Sequence, residues 1–279
     1  MNPLAEYRQS LIDAGFSADD AERIIRWRAM NREQKPGRIV AQAAGDGEGE
    51  LLVYESIGFD PWDGGGLTPK GLVDQLAALG AVSRLTVRIN SPGGSVFDAI
   101  TIMSILRRQG TPLSVEVEGL AASSASFLAQ VADPGELRIS EAGMMFVHRA
   151  WNIVAGNAQD MTEMAAVLEK LDSQIAGIYA GRSGRRSDTW LKAMADETWY
   201  SGAEAVDAKL ADKVVKMKKA AASIDIEGIG AYRNAPVEWV EGVRAERAKA
   251  EADERAKTGQ EAEAVRVRLR LLELEETSA

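Results

Sequence analysis

Two short segments of this sequence carry side chains suited to nucleophilic chemistry. The run Gly119-Leu-Ala-Ala-Ser-Ser-Ala-Ser126 sets Ser123, Ser124 and Ser126 among small residues between a strand-like and a helix-like segment. A serine in the first turn of a helix lies where the helix dipole favours a developing alkoxide. His148 ends a short apolar run and is the only histidine, so no other imidazole could deprotonate such a hydroxyl. The structural alternative is a small-residue helix with hydroxyls bonded to backbone, and a histidine without a chemical role.

Two further segments supply groups that acyl transfer would need. The turn Asn90-Ser-Pro-Gly-Gly-Ser95 follows a β-rich run, and its glycines permit positive φ angles and close backbone approach. Such a turn can aim backbone N–H groups at a carbonyl oxygen, although it also suits an ordinary strand-to-helix connection. Asp196 and Glu197 offer carboxylates that could orient an imidazole.

The composition narrows the classes of function. The chain has 279 residues, no cysteine and one histidine, which excludes thiol nucleophiles, disulfides and multi-histidine metal centres, so we expect no metal and no cofactor. A net charge of −9 argues against a nucleic-acid partner. No window approaches 18 consecutive apolar residues and the polar N-terminus does not resemble a signal peptide, so we expect a cytoplasmic protein without membrane contact.

Strand and helix signals alternate between residues 50 and 218. Short apolar or β-branched runs predict strands at 51–54, 85–89, 113–117 and 144–147. Helical patterns lie between them at about 69–79, 95–109 and 123–132. This order predicts an α/β domain with largely parallel strands, in which functional groups gather at the carboxyl ends of the strands.

A longer helix is predicted after His148. Asn157 with Asp160 forms a plausible start, and Gly181 to Gly184 a stop. Apolar residues repeat at alternating three- and four-residue intervals: Met161, Met164, Leu168, Leu171, Ile175 and Ile178. This narrow apolar row, here called the seam, favours contact between helices of different subunits. The alternative is a helix that packs on the core of its own chain.

The flanks differ from this middle zone. We predict a helical N-terminal extension and linker over 1–44, a catalytic domain over 45–220 and a charged helical C-terminal extension over 221–279. The acidic, glycine-containing stretch Ala44–Glu50 has the composition of a linker.

The four chemical segments, in this order, resemble the proteolytic subunit of the Clp protease over roughly residues 50–218. That family carries an Asn-Ser-Pro-Gly-Gly turn, a Gly-x-Ala-Ala-Ser segment, a histidine closing an apolar strand, and an acid before an aromatic-Ser-Ala-x-Glu-Ala segment. Here the histidine follows Ser123 by 25 residues, and Glu197 follows the histidine by 49. Each motif alone is weak, but together at these spacings they are specific.

The resemblance implies a ββα superhelix, as in the crotonase group, with a helical handle. It implies Ser123 as nucleophile, His148 as general base, a carboxylate holding the imidazole, and the N–H groups of Gly94 and Ser124 as oxyanion hole. The acid is Glu197 where the family has aspartate, with Asp196 as fallback. Ser124 stands where the family usually has methionine. Arg149-Ala150 replaces the family's common Gln-Pro.

The resulting hypothesis is a serine endopeptidase acting on peptides or proteins in an oligomeric ring, with rings stacked through 157–181. The extra ends favour the phage head-maturation (prohead) branch, with capsid or scaffold proteins as partners, in the host cytoplasm or prohead interior. No nucleotide-binding loop is present, so any unfoldase ATPase is another chain. Alternatives are a Ser–Lys dyad using Lys170 or Lys192, as in signal-peptide-peptidase-like relatives, a catalytically silent scaffold, and, least favoured, a crotonase-type thioester site.

Overall fold

The computed structural model describes residues 40–58, 66–152 and 154–216, with seven single positions outside these ranges (9, 12, 236, 238, 241, 242 and 245). The helices predicted within 1–36 and 221–279 therefore lie almost wholly outside the described residues. Two compact units divide the chain, Met1–Ala235 and Pro236–Ala279, and the first contains every element below. No helix in the described ranges is long and apolar enough to cross a bilayer.

Eight strands and six helices make up the described part of this unit. The strands are β1 Val40–Gly45, β2 Glu48–Val53, β3 Arg84–Ser91, β4 Leu113–Ala122, β5 Leu137–Ser140, β6 Met144–Val147, β7 Thr198–Ser201 and β8 Lys213–Val215. The helices are α1 Pro69–Leu79, α2 Val96–Arg108, α3 Ser124–Leu128, α4 Ala158–Ser183, α5 Ser187–Ala195 and α6 Gly202–Asp207, and a 3₁₀ turn, Ala129–Val131, follows α3. The strands and helices predicted in the middle zone are confirmed.

The stretch Ala44–Glu50 is a hairpin, so its interpretation as a linker was wrong. β1 and β2 pair antiparallel across it, with Ala43 opposite Gly49 and Gly45 opposite Glu48. The turn residues Gly45, Asp46 and Gly47 all have positive φ. An Asp-Gly pair between two strands is a strong hairpin signal because it tolerates that conformation. The acidic, glycine-rich composition reflects a tight turn.

The sheet branches at β4, and this branch creates the site. β2, β3, β4, β5 and β8 run parallel to their neighbours in that order. β5 pairs with the first half of β4, whereas β6 pairs with the second half, Leu120 opposite Met144 and Ala122 opposite Phe146. Because β4 and β6 are parallel, their carboxyl ends meet at one edge, and the residues that follow them are neighbours.

Helices cover the apolar face of the sheet. α1 begins at Thr68, whose hydroxyl accepts from the Gly71 N–H, and α2 begins at Ser95, whose hydroxyl accepts from the Asp98 N–H. The buried residues of α2 join the central strands in one core: Ala99, Ile102, Met103, Ile105 and Leu106. This core fixes the strand ends from which the site is built.

The predicted long helix is α4, and its two halves have different surroundings. Asn157 and Asp160 form a reciprocal capping box at its start, and Gly184, at a φ of 70°, ends it, with Gly181 inside the helix. Leu171 and Ile175 are buried against the core of the same chain. In the first half, the seam residue Met161 is 40% exposed, as is the neighbouring Val167, and the seam residues Met164 and Leu168 are partly exposed. The seam therefore packs on its own core only in its second half.

Candidate active site

Ser123 occupies a strained turn between β4 and α3. Its φ of 54° and ψ of −127° lie in a region that side-chain-bearing residues rarely adopt. Its N–H donates to the Phe146 carbonyl at 2.9 Å, which anchors the turn to β6. Such backbone strain is worth about 1–3 kcal/mol and is concentrated at functional sites, where surrounding contacts impose it. The turn holds the Ser123 hydroxyl at the carboxyl edge of the sheet.

His148 is in direct contact with that hydroxyl. Its Nε2 lies 2.8 Å from Ser123 Oγ, although the two residues are 25 positions apart. The imidazole follows β6 and stacks on Phe146 with ring centroids 5.1 Å apart, which restricts its orientation. Both residues are half-buried, so the pair is shielded but open to a reactant. A hydroxyl and an imidazole at this distance can exchange a proton.

The other two candidate serines have different surroundings. The Ser126 hydroxyl donates to the Ser123 carbonyl at 2.6 Å and lies 2.6 Å from the Tyr179 hydroxyl. Because Ser126 has a single proton to donate, Tyr179 is the donor of the second bond. Burial raises the pKa of Tyr179, which keeps this hydroxyl protonated and able to donate. Ser124 is buried, and its Oγ contacts no hydrogen-bond partner among the described residues.

The Gly93-Gly94 turn passes directly over the nucleophile loop. Ile57 bridges to it from the other side, donating its N–H to the Gly93 carbonyl and accepting the Ser95 N–H. A Cβ on Gly93 would come within 2.5 Å of the Ala122 carbonyl oxygen and 2.8 Å of the Ser124 nitrogen. The bridge to Ile57 uses the Gly93 carbonyl and the Ser95 N–H, and among the described residues no acceptor is found for the Gly94 N–H. The N–H of Ser124, the first residue of α3, has no acceptor within its helix. Two backbone donors therefore lie close to Ser123.

The two candidate acids lie between α5 and β7 and differ in environment. β6 and β7 pair antiparallel with Val147 opposite Thr198, and extending this register by one residue sets Glu197 opposite His148. Asp196 forms an ion pair with Lys192, one turn earlier on α5, and its side chain is 54% exposed. Glu197 has a φ of 49° at the end of α5, a position that favours glycine. The register favours Glu197 as the partner of the imidazole.

The two lysines of the alternative dyad are both exposed. Lys170 lies on the exposed side of α4, and Lys192 makes the ion pair with Asp196. Ser123 instead meets His148. Among the residues that the sequence did not single out, Tyr179 and Asp172 contact the segments beside this pair. Nothing local marks either residue, since both contacts depend on how α4 packs.

Comparison with known proteins identifies the family of the chain. The family model described as Clp protease matches residues 68–218, which is more than half of the chain. The chain belongs to the Clp protease family. The match begins at the residue that caps α1 and ends just after β8, so it includes Gly94, Ser123, His148 and Glu197. The resemblance found in the sequence is confirmed at the level of the family.

Individual relatives are named as proteolytic subunits of the Clp protease. The chain is 30% identical over 132 residues to the ATP-dependent Clp protease proteolytic subunit of Pleurastrum terricola, covering 47% of this chain and 67% of that protein. It is 30% identical over 129 residues to subunit 1 of Protochlamydia amoebophila, covering 46% of this chain and 63% of that protein. Subunit 1 of Chlamydia trachomatis serovar D is also 30% identical over 129 residues, covering 46% of this chain and 67% of that protein. The family relationship confirms the prediction of a serine-type endopeptidase of the Clp class.

Proposed function

We propose that this family member hydrolyses peptide bonds through Ser123 and His148. The single observation that carries the proposal is the 2.8 Å contact between Ser123 Oγ and His148 Nε2 at the open edge of the sheet. Ser123 Oγ attacks the scissile carbonyl while His148 Nε2 takes its proton, and the imidazolium then protonates the departing amine. Water, deprotonated by the same imidazole, hydrolyses the resulting acyl-enzyme and regenerates the Ser123 hydroxyl.

The remaining groups of the site have complementary roles. The N–H groups of Gly94 and Ser124 stabilise the negative charge that develops on the carbonyl oxygen. The Glu197 carboxylate holds the imidazole and stabilises its charged form, and Asp196 is the fallback for this role. Every step is a proton transfer, an addition to the carbonyl carbon or the expulsion of the amine or of Ser123 Oγ from it, which the side chains and backbone of this segment can promote without a cofactor.

Assembly and substrates are also part of the proposal. Met161 and Val167 on the first half of α4 expose apolar surface that a second subunit would cover, which supports a ring, or stacked rings, joined through 157–181.

We assign extended peptides as substrates, paired with a strand edge beside Ser123. The relatives' names contain "ATP-dependent", so an unfoldase ATPase on another chain is a candidate partner. From the resemblance to prohead proteases we propose capsid or scaffold proteins as substrates, in the host cytoplasm or the prohead interior.

Fluorophosphonate labelling tests the nucleophile directly. We expect the wild-type full chain to gain one adduct in intact mass, located at Ser123 by peptide mapping, and Ser123→Ala to gain none. Ser104→Ala, which removes an exposed hydroxyl bonded to the Ile100 carbonyl on α2, is the matched control and is expected to label like wild type. An assembled wild type without adduct would indicate the silent scaffold. An adduct elsewhere would contradict the assignment of Ser123.

Variants at Glu197 separate backbone strain from catalysis. Glu197→Gly removes the carboxylate and relieves the positive φ, so we expect the free energy of unfolding to rise by about 1 kcal/mol while kcat falls. Glu197→Gln keeps the strain and the size, and we expect kcat to fall by about 10²- to 10⁴-fold without gain in stability. Denaturant titration and peptide hydrolysis measure the two effects.

Lys209→Gly is the control for this pair of variants. Lys209 has a φ of 60° after α6, so glycine there is expected to stabilise by a similar amount and leave kcat unchanged. If Asp196→Asn lowers kcat and Glu197→Gln does not, Asp196 is the acid.

A further inference from the structure

The segment that follows His148 is tied to α4 by one buried carboxylate. The Ala150 N–H donates to Asp172 Oδ1 at 2.8 Å, and Arg149 Nε lies 3.8 Å from Asp172 Oδ2. Asp172 is only 5% exposed. β6 ends at Val147, so its strand pairing no longer holds the chain at Ala150. Asp172 supplies a tether two residues beyond the imidazole.

Burying a carboxylate at position 172 costs free energy unless specific contacts compensate for its lost hydration. Its helical neighbours Leu171, Ile175 and Ala176 are buried apolar residues, and an apolar side chain would suit the same environment. Burial raises the pKa of Asp172, and the Ala150 N–H opposes that rise because it bonds the charged form. Arg149, whose side chain is 56% exposed, gives only a long and screened ion pair. The backbone bond is the specific contact that the carboxylate makes.

The same helix also reaches the nucleophile. Tyr179 lies seven residues after Asp172 on α4, which is two turns and the same face. Its hydroxyl bonds Ser126, whose own hydroxyl bonds the Ser123 carbonyl. One face of α4 therefore contacts the segments that carry both members of the reacting pair.

We propose that Asp172 is a positioning residue for peptide hydrolysis, fixing the chain after His148 so that its imidazole stays aligned with Ser123. The inference rests on the proposed function of that pair. Because Tyr179 bonds Ser126 and Ser126 bonds the Ser123 carbonyl, α4 holds the segment of the hydroxyl as well as that of the imidazole.

Two substitutions remove the tether from opposite sides. Asp172→Leu removes the acceptor, and Ala150→Pro removes the donor because proline has no N–H. Proline is the family's common residue at this position, but in this chain it would leave the buried Asp172 carboxylate without the bond that Ala150 supplies. In the full chain, we expect each to lower the first-order rate constant of fluorophosphonate labelling, kinact, by roughly 10- to 100-fold, since small misplacements cost that much. KI and the final extent of labelling are expected to stay at wild-type values. A merely structural defect would lower the final extent of labelling and leave kinact of the folded fraction unchanged.

Further variants isolate the hydrogen bond. Asp172→Asn retains an oxygen acceptor, and we expect it to restore kinact to within about threefold of wild type. The double variant Asp172→Leu/Ala150→Pro is expected to be no slower than the slower single variant, because both remove one bond. Glu163→Gln, an exposed carboxylate on the first half of α4, is the matched control and should label like wild type.

Three results would overturn the inference. These are wild-type kinact in Asp172→Leu or Ala150→Pro, an Asp172→Asn as slow as Asp172→Leu, and strictly multiplicative effects in the double variant. Should Asp172→Leu fail to fold, Ala150→Pro and Asp172→Asn still decide the matter. A wild type that is not labelled at Ser123 would overturn the proposed function as well. Labelled wild type with unaffected variants would overturn only the role of Asp172.

Discussion

Replacing Ser123 by alanine is expected to lower kcat for peptide hydrolysis by about 10⁶-fold while the protein stays folded. Alanine removes only the Oγ atom that contacts His148 Nε2 at 2.8 Å. The anchor of the turn is the Ser123 N–H bond to the Phe146 carbonyl, which alanine keeps. Far-ultraviolet circular dichroism and denaturant titration beside the hydrolysis assay separate loss of chemistry from loss of fold.

His148→Ala is expected to be as inactive as Ser123→Ala, and the double variant no worse than either. Removing the base leaves a hydroxyl that is not activated, so the second substitution has nothing further to remove. Activity that survives His148→Ala would contradict the assigned base and favour a dyad with Lys170 or Lys192. Hydrolysis that survives Ser123→Ala would contradict the nucleophile itself.

Gly93→Ala is expected to lower both activity and stability, because the new methyl group has no space. Its Cβ would lie 2.5 Å from the Ala122 carbonyl oxygen and 2.8 Å from both Ser123 Cβ and the Ser124 nitrogen. A φ of 89° adds strain for any residue with a side chain. The turn and the nucleophile loop must separate, which misplaces the two backbone donors. We expect kcat to fall by about 10²- to 10³-fold, with a destabilisation of about 1–3 kcal/mol.

Gly177→Ala provides the matched control for that substitution. Gly177 lies inside α4, and no heavy atom approaches its added Cβ within 4 Å. Alanine in a helix interior is expected to stabilise the protein by about 0.5–1 kcal/mol and leave kcat unchanged. Wild-type kcat in Gly93→Ala would contradict the placement of the turn over the nucleophile.

Some parts of this site can be predicted from the sequence because they depend on patterns of neighbouring residues. Strands at 113–117 and 144–147 follow from short apolar runs, although the first continues to Ala122, and parallel strands place their carboxyl ends together. The capping box at Asn157 is a pattern of neighbouring residues, so it too can be predicted. Family resemblance then selects Ser123 among three nearby serines, and the structure gives Ser124 and Ser126 different surroundings.

Other parts depend on contacts between distant segments. The bond from Ala150 to Asp172 and the chain from Tyr179 through Ser126 arise from the packing of α4, and no periodicity marks them. The strained φ of Ser123 is imposed by its neighbours, since serine itself disfavours it. The acidic, glycine-rich composition around Asp46-Gly47 resembles that of a linker, whereas the Asp-Gly dipeptide itself predicts the hairpin that forms. Local patterns locate elements here, whereas tertiary contacts determine how they hold the reacting groups.

The uneven burial of α4 would let this helix report on the proposed subunit association. Amides near Leu171 and Ile175 exchange with deuterium only when the core opens, whereas those between Met161 and Val167 lie along a surface that solvent reaches in an isolated chain. For the proposed assembly through 157–181, diluting the protein would therefore accelerate exchange in the first three turns and leave the last three nearly constant. Mass spectrometry of two peptides from one helix can thus follow subunit association and global unfolding separately in a single sample.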